Sequence, residues 1–333
     1  MSEVSAFFRV LDLAEGRVTF VAPVPESEWR AVDPNPRGGQ RGARGVSATS
    51  DRLVIANAER LFVFDTNWQL VAQLTHPLLA DVHEILAGED GVWVTAAGCD
   101  LLLHVDWEGR LDDWWAFRRD KRLMRKLGFR SRPRPLDPAL DYRDPRVRQR
   151  ATPYDTAHIN ALARSGDSLL LSFGRVETLE EQPRTSAILR LPLTRKRRPD
   201  VLLQTPALEV PNHNVAEEGD LLIYNDSNRN CLVGWDRRTQ TERVAVPIPG
   251  EPPFARGLLR CGERRWLVGS QEPAAVYEVD LVRGEIVASY ELGGVENETV
   301  FGICPLPDTF ADPPALVSDL PYEFWQRSAS VGS

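Results

Sequence analysis

Short apolar runs recur along the chain at strand length, separated by Gly, Asp, Asn and Pro turns, and almost nothing carries the period of an amphipathic helix. "RLVIANA", "RLFVFDT" and "QLVAQLT" follow one another, and then "GVWVTAAG", "LLLHVDW" and "LDDWWAF". Stacking the segments yields one template: a polar residue, a small or apolar pair, a turn, a three-residue apolar strand, and two further strands. Copies read "VHEILAGEDGVWVTAAG" from Val82, "AHINALARSGDSLLLSFG" from Ala157, "NHNVAEEGDLLIYNDSN" from Asn212, "ARGLLRCGERRWLVGSQE" from Ala255 and "VFGICPLPDTFADPPALVSD" from Val300. The copies advance by 75, 55, 43 and 45 residues. The first interval holds a basic insert, and without it falls to the roughly 40 residues of a four-stranded propeller blade.

A sixth, less regular copy, "GVSATSDRLVIANAERLFVFD", begins at Gly45. The last copy has two strands, and the N-terminal "FFRVLDL" and "RVTFVAPV" supply two spare ones. The pattern therefore predicts an all-β chain: a six-bladed β-propeller over residues 1–333 as a single domain, closed by N- and C-terminal strands sharing the last blade. Such closure removes exposed sheet edges. Seven blades is the alternative count. The end, 322–333, reads as a disordered tail.

Composition narrows the class. Hydrophobic residues make up 42% of the 333, ample for a core, yet no apolar run approaches the roughly 18 residues of a membrane span. "MSEVSAFFRVLDLAEG" carries Glu3, Asp12 and Glu15 and lacks a basic region followed by an apolar core, so the expected location is cytoplasmic. Cys99, Cys231, Cys261 and Cys304 lie far apart with no CxxC spacing, which fits neither a zinc cluster nor a disulfide framework. Net charge is -8, but Arg118 to Arg150 holds thirteen Lys/Arg against four Asp, so this +9 segment sits on a body of -17. Overall acidity argues against a general nucleic-acid partner while leaving room for a local anionic ligand.

Candidate chemistry gathers at one register position. His83, His158, His213 and Arg256 fall at the same place in four successive copies, where inner strands begin at one mouth of a propeller channel. Three of only five histidines share it, while His76 and His104 fall at outer, structural positions. The competing reading is that these histidines only hydrogen-bond blades together, although Asp and Trp partners at a regular offset are missing. The insert, at about 118–152, joins the second and third copies on this same mouth and predicts a short helix from Arg119 to Leu127, either as a lid or as a solvated loop. Trp114 and Trp115 precede it, and outer-strand packing is their expected role.

"DTAHINALARSGDSLLLSFGR" resembles the segment of PAPS-independent arylsulfotransferases in which a His-x-Asn pair precedes a strand ending in Ser and Arg. "NHNVAEEGDLLIYNDSNRN" is similar to that family's second histidine segment, and "VHEILAGEDGVWV" to its first. The chain shares a weaker similarity with strictosidine synthase-like and gluconolactonase-like propellers. The arylsulfotransferase resemblance implies a six-bladed propeller with its site in the central channel. It also implies His213 as nucleophile, His83 and His158 as binding or proton-transferring groups, and Asn160, Arg175 and Arg256 as anion holders. Asn214 and Glu84 complete the expected substrate-binding set. A neutral imidazole is a good nucleophile, and a guanidinium fork suits an oxyanion.

Two other readings stand beside group transfer. His83, His158 and His213 could hold one divalent metal (Fe, Cu, Mn or Zn) for a lyase, isomerase, cyclase or oxygenase reaction, with Glu84 or Glu298 as oxygen ligand or base. Arg256 at the fourth position disfavours a metal unless an anionic substrate lies between. Alternatively the propeller is a non-catalytic ligand- or protein-binding scaffold, although clustered polar groups in a channel are costly without a ligand or water. The expected partner in the enzymatic readings is a small, anionic or aromatic molecule.

Overall fold

The computed structural model describes residues 6–33, 43–129, 135–137, 139–148, 154–176, 185–194, 198–206, 212–292 and 298–314. Among them are five antiparallel four-stranded sheets. Blade 1 comprises β3 (Val46–Ala48), β4 (Arg52–Ala56), β5 (Arg60–Asp65) and β6 (Leu70–Thr75), after a hairpin of β1 (Phe7–Asp12) and β2 (Arg17–Pro23). Blade 2 comprises β7 (Val82–Ala87), β8 (Gly91–Ala96), β9 (Leu101–Asp106) and β10 (Leu111–Ala116). Blade 3 holds β11 (Ile159–Ser165), β12 (Ser168–Val176), β13 (Thr185–Pro192) and β14 (Asp200–Pro206). Blade 4 holds β15 (His213–Glu218), β16 (Leu221–Asp226), β17 (Cys231–Asp236) and β18 (Thr241–Pro247), and blade 5 holds β19 (Arg256–Gly262), β20 (Arg265–Gly269), β21 (Ala275–Asp280) and β22 (Glu285–Glu291). First strands of neighbouring blades touch in the series β3, β7, β11, β15, β19, so they line the axis. The fold is an all-β propeller.

Burial explains the template. Middle strands are covered on both faces by neighbouring blades and read as unbroken apolar runs: Leu53, Val54, Ile55 and Ala56 of β4 are all buried, as is every residue of β9. Outer strands alternate, as in β6, where Leu70 and Leu74 are buried and Val71 and Gln73 exposed. Four third strands end in an aspartate whose carboxylate accepts the backbone N–H groups of the following turn: Asp65, Asp106, Asp236 and Asp280. The blade repeat is thus written twice, in apolar runs and in turn chemistry.

The sixth copy departs from expectation. Among the described residues five four-stranded sheets are formed rather than six, and the hairpin β1–β2 is a sheet of two. The predicted strand at Val300 is not one: residues 300–314 carry no ladder, and Thr299 makes an isolated bridge to Gln271. Pro305 and Pro307 withhold two of the N–H groups a ladder needs. Packing still joins the two ends, because Leu11 clusters with Val300 and Ile303, Phe8 and Phe20 with Cys304 and Leu306, and Arg9 pairs with Glu298.

The insert forms a 3-10 turn at 117–119 and then α1 (Lys121–Lys126), shorter than predicted, capped by Asp120 accepting from Arg122 and Leu123 N–H. A second short helix, α2, spans Pro145–Arg148. The described part of the insert is packed rather than solvated. Phe117, Leu123, Met124, Leu127 and Phe129 join the apolar cluster of blades 2 and 3, and Tyr142 is fully buried against Tyr154 with ring centroids 4.9 Å apart. Trp115 packs on Phe173, and Trp114 lies under Arg119 at 4.2 Å. The tail 322–333 lies outside the described residues. No described helix is long and apolar enough to cross a membrane.

Candidate functional site

Each inner strand from β7 to β19 breaks register near its start: between Val82 and Ile85, Ile159 and Ala161, His213 and Val215, Arg256 and Leu258. A bulge of this kind re-aims side chains where a ladder would otherwise alternate them. The residues expelled from pairing are His83 with Glu84, Asn160, Asn214 and Gly257. Gly257 has φ 75°, and a Cβ there would lie 2.9 Å from Ile303, so only glycine suits it.

The structure brings His83, His158, His213 and Arg256 together at one mouth. His83 and His158 meet edge to face, with centroids 4.6 Å apart and an interplanar angle of 78°. Phe301 flanks His83 at 6.2 Å, and Phe254 flanks His213 at 5.3 Å. The Arg256 guanidinium lies between these rings, 3.4 Å from the Phe301 centroid and 5.4 Å from that of Phe254. Arg175, on β12 and exposed, is close enough to act electrostatically on His158 and His213.

One register expectation needs correction. Pairing relative to the bulge aligns Ile159, not His158, with His213 and Arg256, because β11 carries one more residue before its hairpin. His158 sits one step before the strand in the left-handed region, φ 53°. It still reaches the cluster.

Hydrogen bonding sets the three imidazoles differently. His83 Nδ1 lies 2.9 Å from the carbonyl of Asp81, which can only accept, so Nδ1 carries the proton. His213 Nδ1 is 2.7 Å from Ser227 Oγ, whose hydroxyl is itself donated to the Ala255 carbonyl at 2.6 Å. The serine oxygen must therefore accept, and His213 is also protonated on Nδ1. His158 Nδ1 meets the Asp155 carboxylate at 2.8 Å. In all three rings Nε2 makes no hydrogen bond among the described residues.

Charge follows. Burial pushes the His83 and His213 pKa well below the ordinary 6.5, reinforced by nearby Arg256, so both are neutral lone-pair bearers. For His158 burial also opposes charge, but Asp155, by charge and hydrogen bond, and Asp81 outweigh it and lift the pKa. Glu84 is the reverse case: burial raises its carboxyl to about 8, against Arg256, the Ile85 N–H and Asn214. With Glu84 neutral, Arg44, Arg175 and Arg256 against Asp81 and Asp155 leave one positive charge, before any proton on His158.

Below the mouth the predicted polar residues stitch blades together. Asn214 Nδ2 donates to Glu84 Oε2 at 2.9 Å, linking blade 4 to blade 2 across the axis, while its Oδ1 accepts from Gly257 N at 2.8 Å. Asn160 Nδ2 donates to the Asn212 carbonyl at 2.8 Å, and its buried Oδ1 has no partner among the described residues. Part of the amide expected to hold an anion is thus committed to joining blades. Glu298, an alternative ligand or base, pairs with Arg9. His104, placed at an outer position, is buried on β9 against Trp93 and bonds Asp112 at 2.6 Å.

Among the described residues no group of three or more His, Cys, Asp or Glu side chains is arranged to hold a metal ion. The three-histidine metal site on His83, His158 and His213 is therefore not formed as expected. Two of the rings meet edge to face, and a stacked guanidinium occupies the fourth position.

Sequence reading missed Arg44, Asp155, Ser227 and the two phenylalanines. Arg44 bonds Asp81 at 3.0 Å and also stacks on Phe301, at 5.0 Å. The signal was present: Arg44-Gly45, Arg256-Gly257 and Phe301-Gly302 share one offset in their copies. Asp155, three residues before His158, was equally visible.

No protein-family profile matches the chain, and no curated protein sequence matches it. Solved structures do. A protein of unknown function from Bacteroides caccae aligns over 90% of this chain and 94% of its own with TM-score 0.56 and 11% identity. A streptogramin B lyase aligns over 77% of this chain and 70% of its own, and the virginiamycin B lyase of Staphylococcus aureus over 75% and 70%, each at 11% identity and TM-score 0.45. The likeness to the Bacteroides caccae protein is one of fold alone.

Proposed function

We propose that the protein is an enzyme that transfers an anionic group, sulfuryl in type, through histidine at the channel mouth. The observation that carries this reading is the unequal setting of three clustered imidazoles: His213 kept neutral by burial and Arg256 with its tautomer set by Ser227, His158 held by a carboxylate, with guanidinium groups beside both. The arylsulfotransferase resemblance of the same segments supports it. In this account Arg256 and Arg175 bind the substrate's oxygens, and Phe254 and Phe301 offer aromatic faces to its remainder.

His213 Nε2 attacks sulfur, the S–O bond to the leaving group breaks, and that oxygen takes the proton of His158 Nε2. In the second half, an acceptor hydroxyl returns its proton to neutral His158, its oxygen attacks sulfur, and the S–N bond breaks. His83, neutral beside His158, limits how strongly that proton is held. Glu84 stays uncharged below and does not compete with the anion. In this account the β1–β2 hairpin and residues 298–306 together stand as the sixth blade of a closed ring.

The test is turnover of a nitrophenyl sulfate with a phenol as acceptor. Nitrophenolate release should fall at least about 100-fold in His213→Ala and in His158→Ala, and remain near wild type in the outer-strand variant Trp114→Ala. Release unaffected by both histidine changes, or absent from the wild type across aryl sulfates, would overturn the reading.

A further inference from the structure

The loop that delivers His158 is held by one carboxylate from a different blade. Asp100 closes the turn after β8 with φ 53°, and its side chain is fully buried. Its oxygens accept from Thr156 N at 2.7 Å, Thr156 Oγ1 at 2.6 Å, Ala157 N at 3.0 Å and His158 N at 2.9 Å. Arg118 Nη2, at the foot of the basic insert, lies 3.3 Å from the same carboxylate and donates to the carbonyls of Cys99 at 3.1 Å and Tyr154 at 2.5 Å.

A buried carboxylate is costly unless its lone pairs are met, and here they are met largely by the three residues leading to His158. The corresponding approach to β15 uses neutral groups: Asn212 N donates to Ser186 Oγ and Asn212 Nδ2 to Thr205 Oγ1. The charged anchor thus coincides with the one imidazole of the three whose backbone is left-handed, a conformation disfavoured for a residue with a Cβ. That conformation places Nδ1 on Asp155 only three residues away.

We infer that Asp100 is a positioning residue, which with Arg118 as counter-ion pins residues 156–158 so that His158 meets Asp155 and can serve as the proton donor of the site. The consequence for rate rests on the function proposed above, whereas the pin itself does not. The groups facing His158 are Asp155, Asp81, His83, His213 and Arg175, with Asp100, raised to about 6 by burial and by Asp155, against its backbone N–H.

The test is an NMR pH titration of the histidine rings in the full chain, with thermal unfolding alongside, for Asp100→Asn and Thr156→Val. Losing the Asp155 contact should lower the His158 midpoint by about one pH unit in Asp100→Asn. Thr156→Val keeps the carboxylate charge and should move the midpoint the same way by less, which separates positioning from simple loss of charge. A lower unfolding temperature with His158 titrating as in the wild type in both variants would overturn the inference and leave Asp100 a fold residue. If Asp100→Asn fails to fold, Thr156→Val decides on the same criterion. The titration needs no substrate, so absent group transfer would contradict the proposed function alone.

Discussion

Replacing Glu84 by Gln turns the channel floor into a stability experiment. The carboxyl is buried on β7 and accepts from Asn214 at 2.9 Å, and burial lifts its pKa from 4.5 to about 8 despite Arg256, the Ile85 N–H and Asn214. In the unfolded chain it titrates near its ordinary value, so between these limits the native protein holds a proton that the unfolded chain has released. Its contribution is full below about pH 4.5 and is lost as pH rises through about 8, at about 1.4 kcal/mol per pH unit. The whole window is worth about 5 kcal/mol at most, and relaxation of the channel will absorb part of it.

Glutamine matches the protonated carboxyl in shape and can still accept from Asn214. Urea unfolding followed by tryptophan fluorescence, from about pH 5 to pH 9, gives the difference between variant and wild type, in which the other titrating groups cancel. That difference should be below about 1 kcal/mol at about pH 5 and favour the Glu84→Gln variant by at least about 2 kcal/mol at about pH 8.5. Curves running parallel over the range would refute the claim that Glu84 is neutral in the native channel.

Further outcomes follow from the same geometry. Ser227→Ala removes the acceptor that fixes the His213 tautomer and should slow nitrophenyl sulfate turnover by about 3- to 10-fold, the worth of one hydrogen bond, with the fold intact by circular dichroism. Arg256→Lys keeps the charge but loses both the guanidinium fork and the stack on Phe301, so sulfate binding measured by calorimetry should weaken about 10-fold or more. Phe117→Ala empties a fully buried position against Phe129 and Phe173, and should cost about 3 kcal/mol in chemical denaturation. A cost below about 1 kcal/mol would mean the foot of the insert is not part of the core.

Much of this was legible in the sequence because blades repeat. The interval between copies, the apolar middle strands and the convergence of His83, His213 and Arg256 all follow from a period and need no knowledge of distant contacts. His158 was located but misregistered by one residue, since the one extra residue between bulge and hairpin in β11 is invisible to a stacked template until pairing is known. The role of Asp100 was beyond reach: it contacts Thr156 across 56 residues, and the place it shares with Asn230, just before a third strand with φ 53°, reads in sequence only as a turn. The last copy matched at Val300, Phe301 and Gly302 yet forms no ladder, because side-chain pattern records what packs inward and not which backbone groups pair. A histidine set also reads as metal ligands until Nδ1 partners and ring angles are known.

If His213 is the nucleophile, the mass of the intact protein after brief incubation with an aryl sulfate in the absence of acceptor will show it. The protein should gain one SO3, located on His213 by fragmentation, discharged by adding a phenol, and absent from His213→Ala. An unchanged mass under conditions where the aryl sulfate is consumed, or an adduct on any other residue, would contradict it.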